Sequence, residues 1–312
     1  MKKVFALVLC LMVAVGCLAA SAETMEEKKV AVSFMSLNNP FWVAENETLK
    51  TEIEARGGTL FTYDAAMNME TQISQIEDAV NSGVDAVIVS PLDWKGIRPA
   101  LEACNAKGVP VVVIDTKVYD GNLVNAHVVS DNYLGGKLCA EALIDVLGES
   151  FNVAVLDLST NMAVQDRTAG FFSVVDNYPG IKVVARQDGD GSVEKALPIM
   201  ENMLQSNPEI QAVFGTNDPA AIGCIAAVQT ANRSDIYVVG IDGAKDSCAL
   251  IRDGQMLGTA AQYPSKLAER VVAEVYDIFD GKVLAEEEKI IYVDEAWVSA
   301  ENVDEYEANN AY

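Results

Sequence analysis

The chain has 312 residues, of which 50% are hydrophobic and 22% are charged. This length exceeds that of one typical domain, so two domains with an ample buried core are the default expectation. The formal net charge of −24 disfavours nucleic acid as a partner, because a strongly acidic protein repels the phosphate backbone.

Residues 1–22 have the pattern of an export signal. Lys2 and Lys3 precede a long apolar run, and a small-residue cleavage site ends at Ala22. An alternative is open, because the residues up to Cys17 resemble the end of a bacterial lipobox, which would leave a lipid anchor on that cysteine. We prefer cleavage after Ala22, since the residue three before the cysteine is not the usual leucine. The sequence therefore predicts a periplasmic or extracellular protein without a transmembrane helix, either soluble or anchored through Cys17.

The first structural unit is the stretch VAVSFMSLNNPFW. Residues 30–34 are almost all apolar, as in a strand that is buried on both faces of a parallel sheet. Asn39 then provides a helix N-cap, and Pro40 suits the first helical position. Ligands of open parallel sheets bind beyond the carboxyl ends of strands, which is where this unit places Asn39, Phe41 and Trp42. The simpler interpretation of the two aromatic residues is that they pack on the sheet.

Apolar segments of strand length alternate with helical segments along the rest of the chain. Such alternation predicts right-handed β-α-β crossovers and parallel sheets. After the first unit, the predicted strands are 59–63, 84–89, 109–114, 124–129, 153–156, 181–185, 212–214, 236–241, 258–261 and 289–293. The predicted helices are one that ends at Gly57, then 69–81, 95–107, 133–147, 164–177, 193–205, 219–231, 245–252 and 264–279.

The two halves of the chain repeat each other locally. The segment VDAV at Val84 resembles IQAV at Ile210, and VVID ending at Asp115 resembles VGID ending at Asp242. Two similar α/β lobes are therefore predicted, each with an equivalent strand that ends on a carboxylate. The elements after Gly258 do not fit an arrangement in which each half of the chain forms one lobe, which indicates that the chain crosses between the lobes several times.

A set of short motifs follows one another between residues 29 and 293. They are LNNPF at 37–41, ID at 114–115, SDN at 130–132 with LGGK at 134–137, DR at 166–167 with GF at 170–171, QAVF at 211–214 with ND at 217–218, VVGIDG at 238–243, and AQ at 261–262. One motif would be a weak signal, but the ordered set is specific. It resembles the periplasmic sugar-binding proteins of the ribose-binding type, which serve ABC importers and chemoreceptors.

The resemblance implies the type I periplasmic binding protein fold. This is an α/β fold of two Rossmann-like lobes with parallel sheets, joined by a three-crossover hinge. The crossovers are expected near Ser130, Gln262 and Tyr292. The N-terminal lobe is then 23–130 plus 263–291, and the C-terminal lobe is 131–262 plus 292–312.

The resemblance also implies a sugar site between the lobes. Carboxylates accept hydrogen bonds from adjacent hydroxyls, an arginine fork donates to two oxygens at once, and flat aromatic rings cover the C–H surface of a sugar. The implied ligand-binding residues are Asn39, Phe41, Trp42, Ser90, Asp115, Arg167, Asn217, Asp242 and Gln262.

Several positions depart from the ribose-binding pattern. Thr116 stands where ribose binders carry an arginine, Ile241 and Gly191 replace aromatic residues, and Ser90 replaces an asparagine. Lys117 is an alternative donor, although its direction alternates away from Thr116 if the strand continues. These changes retain a small polyol as the ligand but predict that D-ribose is not the tightest one; a hexose or a cyclitol suits the larger pocket.

The leading hypothesis is a non-enzymatic binding protein that captures a monosaccharide or related polyol and delivers it to the permease of an ABC importer. It would act as a monomer and without a cofactor or a metal. The alternative is a sugar sensor that presents the closed form to a chemoreceptor or a sensor kinase. A repressor of this architecture lacks support, because an export signal stands where DNA-binding helices would be. An enzyme would need two close carboxylates, such as Asp115 and Asp242 acting as in a glycosidase.

Other motifs lack the spacing that their chemistry requires. The loop at Asp188 begins like a calcium loop but has Val193 at the required glycine position. The single histidine, His127, lies on a predicted strand away from any nucleophile, which favours a structural role. The cysteines beyond the cleavage site lie in helix-like stretches, and free thiols are preferred to a disulfide, which the compartment would permit. They are Cys104, Cys139, Cys224 and Cys248.

Overall fold

The computed structural model describes residues 27–159 and 161–310. The predicted export signal and the alternative lipid anchor at Cys17 lie outside these residues. Within the described part of the chain, no helix is both long enough and apolar enough to cross a membrane.

Strands and helices alternate along the chain as predicted. The strands are β1 (Lys29–Phe34), β2 (Thr59–Asp64), β3 (Ala86–Val89), β4 (Val111–Ile114), β5 (Ala126–Ser130), β6 (Asn152–Asp157), β7 (Lys182–Asp188), β8 (Ala212–Gly215), β9 (Tyr237–Asp242), β10 (Gly258–Ala261), β11 (Ile290–Val293) and β12 (Ala296–Ser299). The helices are α1 (Pro40–Ala55), α2 (Met69–Asn81), α3 (Arg98–Lys107), α4 (Asn132–Leu147), α5 (Met162–Val175), α6 (Val193–Ser206), α7 (Asp218–Thr230), α8 (Lys245–Arg252), α9 (Pro264–Phe279) and α10 (Val303–Asn310).

The strands form two six-stranded sheets, each at the centre of one lobe. The first sheet has the order β11-β5-β4-β3-β1-β2, and all its pairings are parallel. The second has the order β12-β10-β9-β8-β6-β7, in which only β12 runs antiparallel to its neighbour. Helices cover both faces of each sheet, so the central strands β3, β4 and β8 are buried along their whole length. This double burial explains their continuous apolar sequences.

Asparagine side chains cap the starts of helices α1, α5 and α7, each of which follows a strand. The side-chain oxygen of Asn39 accepts from the backbone N–H of Phe41, that of Asn161 from Val164, and that of Asn217 from Ala220. Each bond satisfies one of the amides that a helix leaves unpaired at its start. The chain therefore turns sharply from strand to helix at the edge of the sheet where the two lobes meet.

The chain passes between the lobes three times, as the sheet pairings show: after β5, between β10 and α9, and between β11 and β12. The last passage differs from the expectation. Tyr292 and Val293 pair with Val129 and Ser130 in the first sheet, whereas the sequence boundary assigned both to the second lobe. The crossover lies instead at Asp294 and Glu295, because hydrogen bonding to β5 extends β11 beyond the predicted boundary.

Two C-terminal elements were not predicted, and one helix begins later than expected. The strand β12 has only four residues and forms by antiparallel pairing with β10, a distant segment of the chain. The helix α10 follows it. The predicted helix 95–107 begins at Arg98 in the structure, because Pro99 occupies its first turn, where a residue without a backbone N–H is tolerated.

Candidate functional site

The carboxyl end of the first sheet carries the residues of the first motif. Asn39 caps α1 at 2.9 Å from the backbone nitrogen of Phe41. Phe41 is 3% exposed and belongs to the core between this sheet and helices α1 and α9. Trp42 is only partly buried, and its indole N–H donates to Oδ2 of Asp115 across 3.4 Å. Phe41 therefore packs on the sheet, as the simpler interpretation of the two aromatic residues holds, whereas Trp42 also contacts the Asp115 carboxylate at the end of β4.

Asp115 is a buried carboxylate at the end of β4. Its φ of 69° lies in the left-handed region, which is uncommon for a residue other than glycine and is typical of functional sites. Besides Trp42, the hydroxyl of Thr116 donates to its Oδ2 at 3.1 Å. Burial raises the pKa of Asp115, while Arg167 in the other lobe and hydrogen bonds from Trp42 and Thr116 lower it. The carboxylate is thus held in place by donors on its own lobe and faces a cation on the other.

Asp242 occupies the equivalent position at the end of β9 in the second lobe. Its Oδ1 accepts from Nε2 of Gln262 at 2.7 Å and lies 3.6 Å from Nη1 of Arg167. Its Oδ2 accepts from the backbone N–H of Asp218 at 3.3 Å. Burial raises the pKa of Asp242 to about 7; Arg167 opposes this shift, and the carboxyl of Asp218 adds to it.

Arg167 on α5 connects the elements of the second lobe at the cleft. It is 4% exposed, and its Nε donates to Oδ1 of Asn132 at 2.7 Å. Its Nη1 donates to the backbone carbonyl of Thr216 at 2.8 Å. Two of its three nitrogens are therefore held by protein atoms, and no hydrogen bond within the described residues uses Nη2. This arrangement fixes the plane of the guanidinium and leaves one donor nitrogen for a ligand.

Asn217 and Ser90 lie at the same strand ends but have contacts within their own lobes. The Asn217 side chain caps α7 and donates from Nδ2 to the carbonyl of Gly191 at 2.9 Å. Ser90 is fully buried directly after β3, close enough to Asp115 for its hydroxyl to lower the pKa of that carboxyl. For both residues, a direct ligand contact stays a prediction.

Asp218 belongs to the ND motif at 217–218 but was not predicted as a site residue. It is fully buried, and its Oδ2 accepts from the backbone N–H groups of Gly243 at 3.0 Å and Ala244 at 2.8 Å. Its Oδ1 accepts from the hydroxyl of Thr259 at 2.8 Å. These bonds fix the turn that follows Asp242. The available signal was an acid at the first position of a helix, which usually indicates only a favourable interaction with the helix dipole.

An ion pair joins the two lobes at the cleft. Nζ of Lys117, which follows β4, lies 2.6 Å from Oδ2 of Asp166 on α5, and the two side chains are 19% and 23% exposed. The sequence had suggested Lys117 as a substitute for the arginine that Thr116 replaces. In the structure, its ammonium group instead pairs with the opposite lobe.

The residues assigned a structural role are buried. His127 is 3% exposed, and its Nε2 accepts from the backbone N–H of Val118 at 3.4 Å. Burial lowers the pKa of His127 to about 4, so its imidazole is neutral at physiological pH. The prediction of free thiols is confirmed for Cys104, Cys139, Cys224 and Cys248, all of which are buried.

Comparison with known proteins agrees with this geometry. The family profile described as the periplasmic binding protein domain matches residues 30–283. The ribose import binding protein of Bacillus subtilis is 37% identical over 258 residues, which cover 82% of this chain and 83% of the relative. A Shewanella arabinose-transporter binding protein with bound L-arabinofuranose is 28% identical, with a TM-score of 0.85 and coverage of 90% of this chain and 95% of the other. A Bacillus halodurans solute-binding protein with bound myo-inositol is 25% identical, with a TM-score of 0.85 and coverage of 90% and 98%. The chain therefore belongs to the periplasmic binding protein family, has its type I fold, and is of the ribose-binding type that its ordered motifs predicted.

Proposed function

We propose that this protein captures a monosaccharide or related polyol between its two lobes and delivers it to an ABC importer. The observation that carries the proposal is the convergence of polar groups from both lobes at facing strand ends. Asp115 and Trp42 come from the first lobe, and Arg167, Asp242 and Gln262 come from the second.

The chemistry of these groups suits a hydroxyl-rich ligand. Asp115 and Asp242 accept hydrogen bonds from hydroxyls, and the free nitrogen of the Arg167 guanidinium donates to a ring or hydroxyl oxygen. The partly buried ring of Trp42 offers an apolar face to C–H groups. Asn39, Phe41, Ser90 and Asn217 complete the proposed site. Asn39 and Asn217 cap helices at its edge, Phe41 belongs to the core against which Trp42 packs, and Ser90 is buried close to Asp115. The proposal is supported by relatives whose names or bound ligands are ribose, arabinose and myo-inositol.

The proposed cellular setting follows from the same family. The relatives are periplasmic or import binding proteins, and the N-terminal pattern is that of an exported chain. We propose that the protein acts outside the cytoplasmic membrane as a monomer and without catalysis. A sensory role has no specific support, since the relatives named above are transport or solute-binding proteins.

Ligand binding is proposed to close the cleft. Asp115 and Arg167 lie on opposite lobes and influence each other electrostatically, so a ligand that contacts both is fully bound only when the lobes meet. Solution scattering should show a more compact protein at saturating ligand. Identical scattering profiles with and without ligand would count against closure.

Isothermal titration calorimetry tests the function directly. We expect D-ribose, L-arabinose or myo-inositol to bind with one site per chain and to raise the melting temperature by mass action. Absence of binding by all three and by a panel of hexoses and further cyclitols, together with an unchanged melting temperature, would contradict the proposal. Hydrolysis of glycosides by the purified protein would instead favour the enzyme in which Asp115 and Asp242 act as acid and base.

A further inference from the structure

Glu45 lies in the second turn of α1, just beyond the aromatic pair at the start of that helix. Its exposed fraction is 0%. Neither of its carboxyl oxygens has a hydrogen-bond partner within residues 27–159 and 161–310. Burying a carboxyl group without a partner is unfavourable, and nearly all buried polar groups in proteins are paired. This side chain therefore calls for a partner that the chain itself does not supply.

The geometry of α1 directs Glu45 towards the cleft. The helix begins at the carboxyl end of β1 and runs away from the cleft, and helical side chains lean towards the N-terminus of their helix. Glu45 is three residues after Trp42 and four after Phe41, so all three lie on one face. Its carboxyl group consequently reaches back to the level of the aromatic pair. Asp115 is near enough to add to the effect of burial, which raises the pKa of Glu45 well above its usual value.

The second crossover borders the same place. The hydroxyl of Thr48 donates to that of Ser265 at 3.2 Å, which holds this part of α1 against the start of α9. The helix α9 begins two residues after Gln262, whose amide donates to Asp242. Glu45 thus lies where the start of α1, the end of β4 and the crossover into the first lobe come together.

A purely structural role explains Glu45 poorly. The other buried residues of α1 are Phe41, Ala44, Leu49 and Ile53, an apolar stripe that packs on the first sheet. A leucine or methionine would continue this stripe without an unpaired polar group. A residue that costs stability at such a position is typical of a functional site.

We propose that Glu45 is a further ligand-binding residue, whose carboxyl group hydrogen-bonds a hydroxyl of a neutral polyol at the first-lobe end of the cleft. This inference rests on the proposed function and specifies its ligand class. Glu295 at the third crossover is also buried, at 5% exposed, and it interacts electrostatically with Arg167, Asp242 and Asp115. Among the described residues, Arg167 is the one buried cation near these carboxyls. The cleft thus has one buried cation against several carboxyls, so we expect a neutral polyol to bind more tightly than a sugar acid.

Substitutions at Glu45 separate a binding role from a structural one. In Glu45→Leu and Glu45→Met, the affinity for whichever of D-ribose, L-arabinose and myo-inositol binds the native protein most tightly should fall at least tenfold. The melting temperature of the ligand-free variants should rise, because the unpaired carboxyl is gone. Glu45→Gln keeps hydrogen-bonding atoms and should lose less affinity. The matched control is Glu47→Gln on the exposed face of the same helix, which should bind like the native protein.

The possible results are distinguishable. If the native protein binds none of the three probes and no hexose or other cyclitol, the proposed function itself is wrong. If it binds one and either apolar variant folds and binds that probe within twofold of the native affinity, Glu45 is not a ligand-binding residue. The methionine variant decides the question if the branched leucine variant does not fold. D-glucuronate that binds as tightly as the best neutral probe would overturn the inferred ligand class.

Discussion

Replacing Arg167 with alanine removes the guanidinium that connects the second-lobe elements at the cleft. The Asn132 side-chain oxygen and the Thr216 carbonyl lose donors at 2.7 and 2.8 Å, and the carboxylate of Asp242 loses its nearby cation. Breaking one side of a buried ion pair typically costs about 3–5 kcal/mol. We expect the free energy of unfolding of the Arg167→Ala variant to fall by an amount of this order.

The same substitution should weaken ligand binding. Loss of charge-assisted hydrogen bonds from a desolvated site corresponds to about 1.5–3 kcal/mol. The dissociation constant should therefore rise about ten- to a hundredfold. Urea unfolding measures the loss of stability, and calorimetric titration of the folded variant with the tightest of D-ribose, L-arabinose and myo-inositol measures the loss of affinity.

Arg233→Ala is the matched control for this experiment. Arg233 donates to the backbone carbonyls of Pro208 and Ile210 at 2.9 Å each and pairs with Asp235, but it lies at the amino ends of β8 and β9, away from the cleft. Its loss should reduce stability without changing affinity. A folded Arg167→Ala protein with native affinity would remove Arg167 from the site. If both variants lost affinity equally, the weaker binding of Arg167→Ala would result from general destabilisation and not from loss of a ligand contact.

Three further predictions concern pH, the interlobe ion pair and specificity. Because folding raises the pKa of Asp242 from 3.8 to about 7, its contribution to stability is complete below pH 4 and is lost as the pH rises towards 7. The Asp242→Asn variant should therefore gain stability relative to the native protein as the pH rises from 4 to 7 in urea unfolding. A constant difference between the two proteins over this range would contradict the assignment. Lys117→Met should speed ligand release about 1.4- to fivefold in stopped-flow measurements, since the partly exposed ion pair with Asp166 contributes about 0.2–1 kcal/mol. An unchanged release rate would show that this ion pair does not stabilise the closed form. D-ribose should not be the tightest ligand in a calorimetric panel of pentoses, hexoses and cyclitols, because Thr116 donates one hydrogen bond to Asp115 where ribose binders have an arginine fork. If D-ribose bound tenfold more tightly than every other sugar, a difference of about 1.4 kcal/mol, this prediction would be wrong.

The sequence by itself determined the alternation of strands and helices and the edge of each sheet where the proposed site lies. These features depend on local signals: apolar runs for buried strands, Asn39 and Pro40 for the start of α1, and the repeated carboxylates Asp115 and Asp242 at strand ends. Such signals depend only on residues that are close together in the sequence, so they can be recognised without knowing the fold. The ordered motifs then identified the family, which the family profile and the relatives confirmed.

Only the tertiary structure decided which side chains meet. The four residues of β12 form a strand because β10 lies beside them, and Lys117 pairs with Asp166 because the lobes face each other. The sequence indicates only that Asp218 starts a helix, whereas the structure shows that its carboxylate accepts hydrogen bonds from the turn after Asp242. The pattern of α1 places Glu45 on an apolar stripe, but whether its carboxyl group finds a partner depends on distant elements. Pairing and burial of polar groups are properties of the packed molecule, since the contacts that decide them lie far apart in the chain.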